Sequence, residues 1–212
     1  MLLRNSLGRS LFFLAVAALF FCAASLRAQD NPRIELFGGY SWLNTPVRVF
    51  QFGTIPGTQT TCPPTCAFVN VHPNTSLNGW EAQGQYHLLS EYGGSIGIVA
   101  DFGGNYGTVG GSSIHQTTYL FGPQISVPKA FSPFAHVLLG WAHQTQGFSN
   151  NPLFLPAGSS DHSFAFAFGG GIDFRPVRHF AWRVLQVDYM HTSFFGTGNN
   201  SVRLSTGAIF RF

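Results

Sequence analysis

The chain has 212 residues, enough for one domain, with 11 Lys+Arg against 8 Asp+Glu and a formal net charge of +3. Charged side chains are only 9% of it, well under the share a soluble domain needs for its surface, while aromatics reach 16% and mean hydropathy is +0.13. This excludes a helical membrane protein, which would be far more apolar, and a disordered chain, which would be poor in aromatics.

The first element in chain order is an export signal over residues 1–28. Arg4 and Arg9 stand without an acid, followed by the apolar run Leu11–Ala24 and then Ser25-Leu26-Arg27-Ala28. A basic start, a short apolar centre and a small exit residue define a secretory signal. The run falls short of the ~20 residues a membrane-spanning helix requires. Cleavage is expected after Ala28, with Ser25 as the alternative. Cys22 follows Phe20-Phe21, where lipoprotein signals carry small residues, so no lipid anchor is expected. Loss of Arg4, Arg9 and Arg27 leaves eight basic and eight acidic side chains. The mature chain, 29–212, is therefore neutral and lacks the basic footprint of a nucleic-acid binder.

From Arg33 onward the apolar period is two, the signature of strands, and no helical period competes with it. Arg33–Leu43 sets Ile34, Leu36, Tyr40 and Trp42 against Arg33, Glu35, Phe37 and Ser41. Leu77–Leu88 sets Trp80, Ala82, Tyr86 and Leu88 against Glu81, Gln83, Gln85 and His87. Gly94–Gly103 opposes Ile96, Ile98 and Phe102 to Asp101, and Ile114–Val127 opposes Tyr119, Phe121 and Ile125 to Gln116, Thr118 and Gln124.

Phe131–Ala142 places Val137, Leu139 and Trp141 opposite His136 and Leu138. His162–Phe174 places Phe164, Phe166, Phe168 and Ile172 opposite Ser163 and Asp173. Phe180–Thr192 breaks step, because Arg183 has one parity while Gln186 and Asp188 have the other. A β-bulge near Val184-Leu185 returns all three to one face. Ser201–Phe212 restores order, with Val202, Leu204 and Phe210 opposite Ser201, Arg203, Ser205 and Arg211.

The eight segments each reach the ~9–11 residues that a tilted membrane strand needs. Long connections (Asn44–Ser76, Gly104–Ser113, His143–Asp161 and Ser193–Asn200) alternate with short ones (Leu89–Gly93, Pro128–Ala130 and Arg175–His179). In hydrocarbon every backbone N–H and C=O must be paired, so a sheet has to close on itself. The pattern predicts an all-β fold: an eight-stranded antiparallel up-and-down transmembrane β-barrel over residues 29–212.

The sequence ends Ser205-Thr206-Gly207-Ala208-Ile209-Phe210-Arg211-Phe212. In Ser205, Gly207, Phe210 and Phe212 this resembles the C-terminal insertion signal of bacterial outer-membrane proteins. With Phe121-Gly122-Pro123-Gln124 and Gln186-Val187-Asp188-Tyr189, the chain from about residue 31 to its end resembles the small OmpA/OmpX-type barrels, in their porin-like branch. The resemblance implies export through the periplasm, the barrel assembly machinery as a partner during biogenesis, residence in outer-membrane lipid, and a monomer. It implies no cofactor.

Candidate chemistry is sparse. Cys62-Pro63-Pro64-Thr65-Cys66, in the longest loop of an exported chain, is expected to carry a disulfide. Zinc there would need two more ligands, and beyond His72 no Cys/His pair follows. The eight histidines are scattered, and none pairs at a metal-site spacing. Arg33, Glu35, Glu81, Asp101, Asp173, Arg183, Asp188, Arg203 and Arg211 all fall on the inward face, and eight strands leave just enough room for side chains to fill the interior. They are expected to form a structural polar network, since buried carboxylates need such partners; a narrow ion path is the alternative.

His191-Thr192-Ser193 resembles the His-x-Ser pair of outer-membrane lipid A deacylases, in which His activates Ser. It departs from them in Phe194-Phe195, where those enzymes have Asn-Ala, and in the lack of any acid after Asp188. The expected function is therefore non-enzymatic, in envelope integrity or surface interaction through the loops. A narrow channel and a lipid-modifying enzyme are the alternatives.

Overall fold

The computed structural model describes residues 33–47, 49–52, 68–71, 74–91, 93–109, 112–147, 159–194 and 196–212. The expected export signal and the expected disulfide of Cys62 and Cys66 lie outside the described residues. Ten strands occur in chain order: β1 (Ile34–Pro46), β2 (Val49–Phe52), β3 (Phe68–Val71), β4 (Asn74–Glu91), β5 (Gly94–Val109), β6 (Ser112–Ser126), β7 (Phe131–Gly147), β8 (Ser159–Val177), β9 (Phe180–Phe194) and β10 (Thr197–Arg211). β2 and β3 pair as a separate two-stranded sheet. The other eight close into a barrel in the order β1-β10-β9-β8-β7-β6-β5-β4, every pair antiparallel.

Closure is made by the first strand and the last, β1 and β10. The Phe212 N–H donates to Ile34 O at 2.8 Å, and the Ile34 N–H donates to Phe212 O at 3.3 Å. From there β1 and β10 stay in register from Glu35↔Arg211 to Asn44↔Val202. Among the described residues the barrel sheet is closed and leaves no free edge, which is the condition for crossing hydrocarbon.

The break in alternation on β9 is a bulge. Arg183 pairs with Asp173 on one side and Gly207 on the other, and the register shifts next to both positions. Val184 and Leu185 both face outward, 49% and 47% exposed, so Arg183, Gln186 and Asp188 all turn inward. A second bulge after His87 in β4 sends Leu88 and Leu89 outward together.

Two of the expected long loops are instead strand. β5 runs on to Val109 and β6 starts at Ser112, while β9 runs to Phe194 and β10 starts at Thr197. Pairs such as Thr108↔Ser113 and Asn199↔Thr192 extend the ladder past the apolar stretch, because polar side chains still satisfy the two-residue period once the wall leaves lipid. A left-handed residue turns the chain between β4 and β5, where Gly93 has φ 81°, and between β9 and β10, where Gly196 has φ 70°.

The barrel is inside out relative to a soluble one. Arg183, Arg203, Glu81, Asp101 and Asp188 are buried, while Ile98 is 52%, Phe164 58% and Trp141 61% exposed. Water outside this wall would face Ile, Phe and Trp, and the interior would be charged. Lipid outside removes that contradiction.

Candidate functional site

The barrel interior holds almost all the described chemistry. Arg203, on β10, is its hub. Its Nη1 and Nη2 each donate to Asp101 of β5 at 2.9 Å, and Nη2 also donates to Asp188 Oδ2 at 2.7 Å. Nε reaches Asp188 Oδ2 at 3.1 Å and lies 3.4 Å from Glu81 Oε2. Such a fork is the geometry in which a guanidinium serves carboxylates best.

Arg183, on β9, forms the second centre. Its Nε and Nη2 donate to the two oxygens of Asp173 at 2.8 and 3.3 Å. Its Nη1 donates to Gln83 Oε1 and Gln186 Oε1 at 2.5 and 2.6 Å. The guanidinium carbon lies 4.5 Å from the centroid of Phe37 and 4.2 Å from that of Phe134. Both ring faces therefore meet the cation where water is excluded.

Glutamines join the two centres. Gln83 Nε2 donates to Glu81 and Asp101 at 2.5 and 2.7 Å, and Gln186 Nε2 donates to Glu81 and Asp188 at 2.9 and 2.6 Å. Ser205 adds a hydroxyl donor to Glu81. His136 Nε2 meets Asp188 Oδ1 at 2.9 Å; a carboxylate only accepts, so Nε2 carries the hydrogen. Nearer the turn end, Glu35 gathers Arg211 at 2.8 Å, His87 at 3.3 Å and Arg175 at 3.5 Å.

Of the nine residues expected on the inward face, eight lie in these groups. Arg33 is the correction. It is exposed and precedes the first strand residue, so its inward parity places it beyond the rim rather than inside the lumen. Sequence reasoning also missed Gln83, Gln186, His136, His87 and Arg175 as members. Parity already turned the first four inward, but as neutral or titratable side chains they carry no charge-pairing signal. Arg175 had been assigned to a turn.

An apolar layer closes the lumen above the network. From the turn end, the inward residues of β9 run Arg183, Gln186, Asp188, Met190, Thr192, and those of β1 run Glu35, Phe37, Gly39, Ser41, Leu43. Leu43, Leu77, Leu120, Leu138 and Met190 are fully buried in one cluster. Polar side chains resume beyond it, where the Ser201 hydroxyl donates to Thr45 Oγ1 at 2.8 Å. Along β1 and β9 the inward residues thus pass from charged to apolar to polar, from the turn end to the loop end.

His191 and Ser193 lie outside, on the exposed face of β9. His191 Nδ1 is 2.7 Å from Asn200 Oδ1, so an amide oxygen, not a carboxylate, orients the ring. Among the described residues no hydrogen bond joins His191 to Ser193. The C-terminal residues divide by face: Ser205 and Gly207 are buried, while Phe210 and Phe212 are 54% and 45% exposed.

A closed eight-stranded antiparallel barrel with ion pairs inside and an aromatic-rich apolar wall outside has the architecture of the small bacterial outer-membrane barrels. Solved structures of that kind superpose on it. Ail, the attachment invasion locus protein of Yersinia pestis, matches at TM-score 0.53 and 15% identity, covering 86% of this chain and 99% of that one. Neisserial surface protein A matches at TM-score 0.49 and 10% identity, covering 84% and 97%. The outer membrane protease OmpT of Escherichia coli matches at TM-score 0.45 and 9% identity, covering 89% and 99%. At these identities the likeness is one of fold alone. No family model matches the chain, and no curated protein matches it in sequence.

Proposed function

We propose that the chain is an integral protein of the bacterial outer membrane with a non-enzymatic role, in envelope integrity or in surface interaction through its loop end. One observation carries this reading: the lumen is filled, first by the Arg203 and Arg183 network and then by the layer of Leu43, Leu77, Leu120, Leu138 and Met190. A filled lumen gives rigidity and leaves no continuous aqueous path. The short turns and both ends of the described barrel would lie on the periplasmic side, and β2 and β3 on the outer side. Residues 1–28 would be removed on export, Cys62 and Cys66 would be oxidised, and Phe210 and Phe212 would serve recognition by the barrel assembly machinery. Outer-membrane lipid is then the standing partner of a monomeric wall, without nucleic acid.

Planar-bilayer recording of refolded protein tests the reading. The expected result is no reproducible unitary conductance. A steady conductance that changes in Glu81→Gln or Arg203→Gln would overturn it in favour of a narrow channel. The Asn200–His191 hydrogen bond favours a second reading, an outer-membrane lipid A deacylase-like enzyme with Ser193 as nucleophile. Mass spectrometry of lipid A with and without expression decides that point: unchanged acylation removes it, and an acyl loss abolished by Ser193→Ala would establish it.

A further inference from the structure

Outside the lumen, antiparallel pairing brings two histidines close enough to share one ligand. His143 of β7 and His162 of β8 sit directly opposite each other in the antiparallel ladder. Their rings stack with centroids 4.1 Å apart and planes inclined by 26°. His162 is exposed and His143 half-buried, on the outer face of the wall two residues beyond Trp141 and Phe164 toward the loop end.

The protonation pattern of His143 follows from its partners. Its Nδ1 lies 3.2 Å from the main-chain oxygen of Asp161, which only accepts, so Nδ1 carries the hydrogen. Nε2 therefore keeps its lone pair, and Thr145 Oγ1 at 3.2 Å donates to it. An imidazole whose other nitrogen is tied to a backbone carbonyl is the arrangement that orients metal-ligating histidines. The backbone at His162 is itself held, because its N–H donates to Asp161 Oδ1 at 2.8 Å. The carboxylate of Asp161 also adds negative charge beside the pair.

We propose that His143 and His162 form an open site for a late first-row divalent cation, strongest for Cu2+ and weaker for Ni2+ and Zn2+. Imidazole nitrogen suits these ions, and affinity rises toward copper in that order. The exposed His162 ring leaves the stack so that its lone pair and that of His143 Nε2 converge, and the ion takes one nitrogen from each ring by dative bonds. The Thr145 hydroxyl, displaced from the Nε2 lone pair, is free to hydrogen-bond a metal-bound water. Among the described residues no group of three or more His, Cys, Asp or Glu is assembled, so the remaining positions belong to water or an incoming ligand. This site is independent of the reading of the lumen.

Isothermal titration of the refolded mature chain with Cu2+ and Ni2+, in a non-coordinating buffer at pH 7.5, tests the proposal. Copper paramagnetic resonance on the same samples counts the bound nitrogens. The expected result is one ion per chain with two imidazole nitrogens, weakened at least tenfold in His143→Ala and in His162→Ala. His179→Ala, at the turn end of the barrel and far from the pair, should bind as wild type. The double variant measures whatever the N-terminal amine contributes. Heat-modifiable gel migration verifies folding, and His143→Asn and His162→Gln replace either alanine variant that fails it. Affinity and nitrogen count unchanged across the pair variants would overturn the site.

Discussion

Arg183 and Asp173 offer the sharpest test of what holds the lumen together. Both are almost fully buried, at 2% and 1% exposure, so solvent screening does not dilute their interaction. Arg183→Met keeps a long side chain between Phe37 and Phe134 but leaves the Asp173 carboxylate without its counter-ion. It also leaves the Gln83 and Gln186 oxygens without their donor. Breaking a buried pair from one side costs about 3–5 kcal/mol. Asp173→Asn should cost less, about 1.5–3 kcal/mol, since Arg183 keeps both glutamines and both rings. The double variant leaves no stranded charge at this pair and should be no less stable than Arg183→Met alone. That outcome is a coupling of about 2 kcal/mol. Urea unfolding in lipid vesicles, followed by tryptophan fluorescence, measures all four proteins. Additivity within about 0.5 kcal/mol would refute the claim that the pair is retained because each charge needs the other.

Backbone packing is tested by two glycines. A side chain at Gly140 would strike the Tyr119 carbonyl oxygen, whereas nothing lies within 4 Å of a side chain at Gly38. Gly140→Leu should therefore lose the heat-modifiable folded band, and Gly38→Ala should stay within about 0.5 kcal/mol of wild type. Trp80, Trp141 and Trp182, each at least 46% exposed, should be quenched by brominated acyl chains; unquenched fluorescence would argue against a lipid-facing wall. Intact mass of the exported protein should correspond to a chain starting at residue 29, with Cys62 and Cys66 resisting alkylation until reduced. Free alkylation without reductant would remove the disulfide.

The number of barrel strands, their sidedness and even the bulge on β9 were legible in the sequence, because each is a statement about parity; β2 and β3, inside the expected loop Asn44–Ser76, were not. A strand shows alternate residues to opposite faces, so Phe164, Phe166 and Phe168 against Ser163 and Asp173 declare two solvents without any knowledge of neighbours. The clash between Arg183 and Gln186 located Val184-Leu185 by the same rule. Loop lengths were less legible: Thr108, Ser113 and Asn199 read as loop by composition, yet they pair as strand because ladder hydrogen bonds do not require apolar side chains.

The opening scarcity of charge thus has two separate explanations. By itself the sequence determined that one face of the strands carries most of the charges and the other most of the aromatics, since alternation is a local property of the chain. Only the tertiary structure decided which charges meet. Arg203 on β10 reaches Asp101 on β5, although neither strand is hydrogen-bonded to the other, because closing and tilting the sheet brings them together across the lumen. The same holds for His143 and His162, which look scattered until antiparallel pairing sets one ring on the other. Parity assigns a face, but contact depends on register and closure, which form only when the last strand meets the first.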